Sequence, residues 1–173
     1  MKIKTAALAI LLTLNLSALT LGEVPTPIVL DGENGSLVEG NTAWDSTSVK
    51  ENVFVMFYVD PDKKDDNEHY AQALKKFKTD KDLHFQRIAI INLAATWKPN
   101  FIIEKILASK QEEFPDTIYV KDKKSVLVNE WELEDDASNI IIFNKRGEMI
   151  FSKSGPMSEN DIEKSFKLIE ENL

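Results

Sequence analysis

One run of residues constrains this chain more than any other. Residues 53–59, VFVMFYV, are apolar throughout and rich in β-branched and aromatic side chains. The run is too short for a buried helix and reads as a strand covered on both faces. A second run, FQRIAIINLA at 85–94, has the same character. Between them, residues 65–78 place Tyr70, Ala73, Leu74 and Phe77 at i, i+3, i+4 and i+7, one face of a helix. Strand, helix and strand in that order imply a parallel pair joined by a crossover. A sheet begun this way needs a layer on each side.

The rest of the chain extends that unit. Residues 23–41 are turn-rich, and Asn34-Gly35 between short apolar runs suggests a hairpin. Pro99 sits near the first turn of a second helix carrying Phe101, Ile102, Ile103, Ile106 and Leu107. TIYV and SVLVNEW follow, split by the polar turn Asp122-Lys123-Lys124. NIIIF and EMIFS form a β-hairpin around Gly147. Ser158 with Asp161 marks a capping-box start for a last helix lined by Ile162, Phe166, Ile169 and Leu173. The order, β(β)αβα then ββα, predicts an α/β three-layer sandwich, a mixed central sheet with helices on both faces.

The N-terminus reads as an address. Lys2 and Lys4 precede an uncharged stretch from Thr5 to Gly22 that ends in small residues. This is a signal-peptide pattern, with cleavage expected after Gly22 and the domain at 23–173. Cleavage would remove two lysines and take the formal charge from -8 to -10. The expectation is an exported, periplasmic, acidic protein with no stable membrane insertion after cleavage. A nucleic-acid partner is not expected, because phosphate recognition needs a basic footprint. With no cysteine, the chain has no disulfides, no thiol catalysis and no cysteine zinc site. Two histidines, His69 and His84, do not make a compact histidine metal centre.

The C-terminal stretch, residues 138–173, resembles the last hairpin and helix of thioredoxins, with Gly147 and Gly155 at their turn and post-strand positions. The cadence upstream resembles the peroxiredoxin and TlpA-like thiol-reductase branch. The whole mature chain is similar to the YtfJ family of exported bacterial proteins. The marks are Val24-Pro25, GSL at 35–37, Trp44, IIN at 90–92, WEL at 131–133 and NKRGEM at 144–149. The resemblance implies a periplasmic thioredoxin-like protein without an established biochemical function. In redox thioredoxins, Cys-x-x-Cys occupies the turn after the central strand and a cis-proline faces it. Here that turn is Asp60-Pro61-Asp62-Lys63, and Ser138 falls at about the cis-proline position. The resemblance carries the fold across, while the missing thiols exclude oxidoreductase and peroxidase chemistry of that kind.

Two acidic clusters are the candidate sites. Asp60, Asp62, Asp65 and Asp66 crowd the loop before the first helix, and Asp135 and Asp136 end the segment WELEDD. In the thioredoxin fold these clusters share a rim. The functional reading is a partner-binding edge formed by Asp60, Asp62, Trp97, Asp135, Asp136 and Ser138, holding a protein or peptide. An alternative is a divalent-cation site or cation-dependent enzyme using Asp60, Asp62, Asp65 and Asp66. The plainer reading is that acids near a helix start cap it and favour its dipole. The loop does not follow the EF-hand spacing. Trp97 lies at a strand end on the same edge, where open α/β sheets bind ligands. No nucleophile elbow, phosphate-cradling glycine loop or dinucleotide fingerprint occurs, so no cofactor is expected.

Overall fold

The structure is a computed structural model, and it describes residues 19–173. The expected signal segment lies largely outside the described residues, since its positions 1–18 are not among them. Eight strands are described: β1 (Val29–Leu30), β2 (Gly35–Leu37), β3 (Trp44–Asp45), β4 (Phe54–Val59), β5 (Gln86–Asn92), β6 (Thr117–Asp122), β7 (Ser138–Phe143) and β8 (Met149–Ser154). The helices are α1 (Glu68–Asp80), α2 (Asn100–Glu113), α3 (Val126–Trp131) and α4 (Glu159–Asn172). Six strands form one sheet in the order β2-β6-β5-β4-β7-β8. β4–β5 and β5–β6 are parallel, while β2–β6, β4–β7 and β7–β8 are antiparallel.

Both faces of the sheet are covered, as the apolar runs require. Phe54, Met56 and Tyr58 of β4 turn to one face and pack with Ile88 and Ile90 of β5 and with Leu127 and Trp131 of α3. Val55 turns to the other face, where Tyr70 and Leu74 of α1 meet Ile169 of α4. On that second face α2 lays Ile103 and Leu107 over Tyr119, Ala89 and Ile91. α4 opens with the capping box expected of Ser158 and Asp161.

Three local expectations are corrected. Asn34-Gly35 does not join a hairpin: β1 pairs with β3, whereas β2 pairs with β6 in the main sheet. Gly35 is there because a Cβ would lie 2.1 Å from the Lys121 carbonyl oxygen, so the close strand approach needs a glycine. Residues 117–131 supply one strand and one short helix, which add a third parallel strand to the expected order. Phe101 does not join the buried face of α2 and is 67% exposed.

Candidate functional site

The site lies at the edge where parallel strands β4, β5 and β6 end. After β4 the chain enters a single 3-10 turn, Pro61–Lys63, with Pro61 preset for its first position. Asp60 caps this turn, its Oδ1 accepting from the Asp62 amide at 2.7 Å. The Asp60 amide donates to the Ala137 carbonyl at 3.0 Å, which ties the turn to the segment before β7. The two acidic clusters therefore share one rim, as the sequence suggests.

The rim acids differ in their surroundings. Asp60 is buried. Its carboxyl is held above the ordinary range by that burial first, and then by the charges of Asp136 and Asp135. Asp62 pairs with Lys98 and receives the Thr96 hydroxyl at 3.2 Å. Asp136 lies 3.5 Å from Lys63, and Asp65 pairs with Lys64. Asp135 Oδ1 accepts from the side-chain Nδ2 of Asn92 at 3.3 Å. Lysines thus meet three of these acids. Among the described residues, no three Asp, Glu or His side chains converge as a bound metal ion requires.

Ser138 lies beneath the rim, not on it. It is buried at the start of β7, opposite Val59. Its Oγ accepts from Asn67 Nδ2 at 3.0 Å. Asn67 Nδ2 also reaches the Gly155 carbonyl at 3.1 Å, and Oδ1 accepts from the Met157 amide at 2.8 Å. One amide side chain therefore clamps the start of α1 to β7 and to the β8–α4 connection. The sequence offers no signal for this role, because Asn67 reads only as another polar loop residue. Its partners are 71 to 90 positions away.

Trp97 is the exposed aromatic of the edge. It stands between β5 and α2 with 88% of its surface in solvent, one residue before Lys98, the partner of Asp62. Phe101 follows four positions later, also exposed. Trp44 and Trp131 are instead core residues, and the Trp131 indole donates to the Thr26 carbonyl at 2.9 Å. His69 meets the Met157 carbonyl at 2.8 Å, and His84 is exposed before β5. Neither histidine belongs to the rim.

Beneath the edge, between α1, α2 and the sheet, lies a cavity of about 120 Å³. Its walls are mostly apolar, and Pro61, Asn67 and Ser138 bound it on the side of the turn.

Comparison with known proteins places this geometry. The Uncharacterized protein YtfJ of Escherichia coli (strain K12) is 22% identical over 111 residues, 64% of this chain and 60% of that protein. The match spans less than two thirds of that relative's length. Among solved structures, the thioredoxin domain of a thiol-disulfide oxidoreductase from Bacteroides vulgatus aligns with a TM-score of 0.60 at 13% identity, covering 88% of this chain and 99% of that one. A SCO1/SenC family lipoprotein from Bacillus anthracis aligns with a TM-score of 0.58 at 9% identity, covering 87% and 99%. These likenesses establish a thioredoxin-like fold. The profile of the family described as "Bacterial protein of unknown function (YtfJ_HI0045)" matches residues 28–172, and the chain belongs to that family.

Proposed function

We propose that this chain is a periplasmic, non-redox binding protein. It holds a basic polypeptide segment with an aromatic or aliphatic anchor at the sheet edge where thioredoxins carry their cysteines. The observation that carries this reading is Trp97, 88% exposed at the end of β5. An aromatic ring buries 150–250 Å² on association and is a common anchor of interfaces. Phe101, four residues on and also exposed, adds apolar surface. Asp60, Asp66 and Asp135 form no salt bridge with a lysine among the described residues, although Lys63 and Lys98 act on Asp60 through space, and the six rim aspartates outnumber Lys63, Lys64 and Lys98, so the rim keeps an excess of negative charge for a basic segment.

Residues 1–22 act in this reading as the export signal and 23–173 as the working domain. The signal-like pattern supports it. The absence of cysteine supports a non-redox role at an edge that in the fold's thiol enzymes does redox work.

The test is photo-crosslinking in cells from a probe at Asp62, with Lys167 on α4 as the distant control. The expected result is a discrete adduct from position 62 alone, lost when Trp97→Ala is added. Adducts from both positions, from neither, or unaffected by Trp97→Ala would overturn the proposal.

A further inference from the structure

The cavity between α1, α2 and the sheet contains a buried cation that the fold does not use. Arg87 lies near the start of β5, with Val55 on one side and Thr117 on the other. It shares its sheet face with Ala89 and Ile91, and all three line the cavity. Only 4% of Arg87 is exposed, and its Nε is buried without a hydrogen-bond partner. The guanidinium stands over the Phe114 ring at 5.3 Å, which satisfies its flat face. Its Nε–H points outward in the plane of the group and still needs an acceptor. Asp116 acts on it through space but is itself ion-paired with Lys78 at 3.9 Å. Burial disfavours the charge of Arg87 more than Asp116 and Tyr119 support it.

A buried guanidinium with an unsatisfied donor is costly, and a carboxylate with two parallel acceptors is the group its fork fits best. The remainder of the cavity is mostly apolar, walled by Phe57 of β4, Ala71 of α1 and Ile103, Ile106 and Leu107 of α2, with Lys64, Asn67 and Ser138 toward the turn. It runs from Arg87 to Pro61 and Ser138 at the C-terminal end of the strands. Arg87 and Ile91 are four strand residues apart, roughly 13 Å. The rim is polar: Lys110 of α2 bridges to Glu68 of α1 at 2.6 Å. Arg87 is the buried cation of a mostly apolar slot, whereas Lys64 and Lys110 line the same slot half-buried; a cation set within an apolar slot is a recognition pattern for an anionic head with an aliphatic tail.

We propose that this slot binds an unbranched aliphatic carboxylate of medium chain length, with the carboxylate on Arg87 and the tail between α1 and α2 toward Pro61. The site is separate from the exposed Trp97 edge, and the two proposals stand or fall independently.

The test is calorimetric and thermal-shift titration of the purified protein with hexanoate. Methyl hexanoate and hexyltrimethylammonium serve as uncharged and cationic controls. Hexanoate should bind saturably and raise Tm with concentration, and the two controls should bind at least about tenfold more weakly. Arg87→Met should cost hexanoate about tenfold or more in affinity. It should leave the unliganded protein as stable or more so, because a buried charge with an unsatisfied donor has been removed. Ala89→Phe, which fills the slot beside the cation and keeps the charge, should abolish binding. Absence of hexanoate binding to the native protein would overturn the proposal, as would equal binding of the three amphiphiles. Undiminished binding to Arg87→Met or Ala89→Phe would do the same.

Discussion

Two aspartates stand at the same edge of the sheet, each where a parallel strand gives way to a short helix, and they are treated in opposite ways. Asp122 ends β6 and is fully buried. Its Oδ1 accepts from the amides of Lys124 and Val126 at 3.1 and 3.0 Å, and its Oδ2 from the amide of Leu127 and the hydroxyl of Tyr58, both at 3.1 Å. Asp60 follows β4, is buried as well, and accepts one backbone amide while facing Asp135 and Asp136. The first carboxylate holds α3 to the sheet and its acceptor sites are saturated. The second accepts a single amide, and Lys63 and Lys98 only partly offset its burial and the like charges beside it. A fold keeps such a group at a cost to its own stability, and sites of function are where that cost is commonly found.

The difference can be broken from the side of Asp122, where the largest effect is expected. Asp122→Ala orphans three backbone amides and a buried phenol, and should lower stability by about 3–5 kcal/mol. Equilibrium urea unfolding measures this, and a loss under 1 kcal/mol would deny Asp122 its structural role. Next comes Asn67, which clamps three elements beneath the candidate edge. Asn67→Ala should cost about 2–3 kcal/mol. Asn67→Asp should not restore it, since a carboxylate has no donor for Ser138 and Gly155.

Asp60 sharpens the contrast through its sign. Its carboxyl titrates higher in the folded protein than in the unfolded chain. Ionisation therefore opposes folding, and this penalty grows as pH rises through the folded value. Asp60→Asn keeps the acceptor for the Asp62 amide and removes the charge. It should raise stability at neutral pH, and the gain should fade as pH falls through the ordinary carboxylate range, where the unfolded chain becomes protonated as well. A destabilised Asp60→Asn at pH 7 would place Asp60 with Asp122 as a structural carboxylate. The smallest effect belongs to Trp97→Ala, which should change stability by less than about 0.5 kcal/mol, because an exposed side chain away from any packed feature contributes little to folding.

The sequence was readable where structure is local or periodic. Residues 53–59 and the spacing of Tyr70, Leu74 and Phe77 specified strand and helix, because burial on two faces and on one stripe leave different patterns. Ser158 and Asp161 marked the start of α4 because a capping box closes within four residues. Asn34-Gly35 misled, because the close approach to Lys121 that requires Gly35 is non-local. Asp60, Asp62, Asp135 and Asp136 were legible as one rim through the fold they imply, and Trp97 as an aromatic at a strand end. The burial of Ser138 and Asp60, the clamp made by Asn67 and the unpartnered Arg87 were not. Each depends on what lies across the sheet or between two helices, and no short-range spacing records it.

The central claim is that the Trp97 edge works by contact and does not hold the fold together. The most direct measurement is paired: urea unfolding of Trp97→Ala, and crosslink yield from position 62 in the same variant. The account predicts unchanged stability with the adduct lost. A clear loss of stability with the adduct retained would contradict it and make Trp97 part of the core's cover.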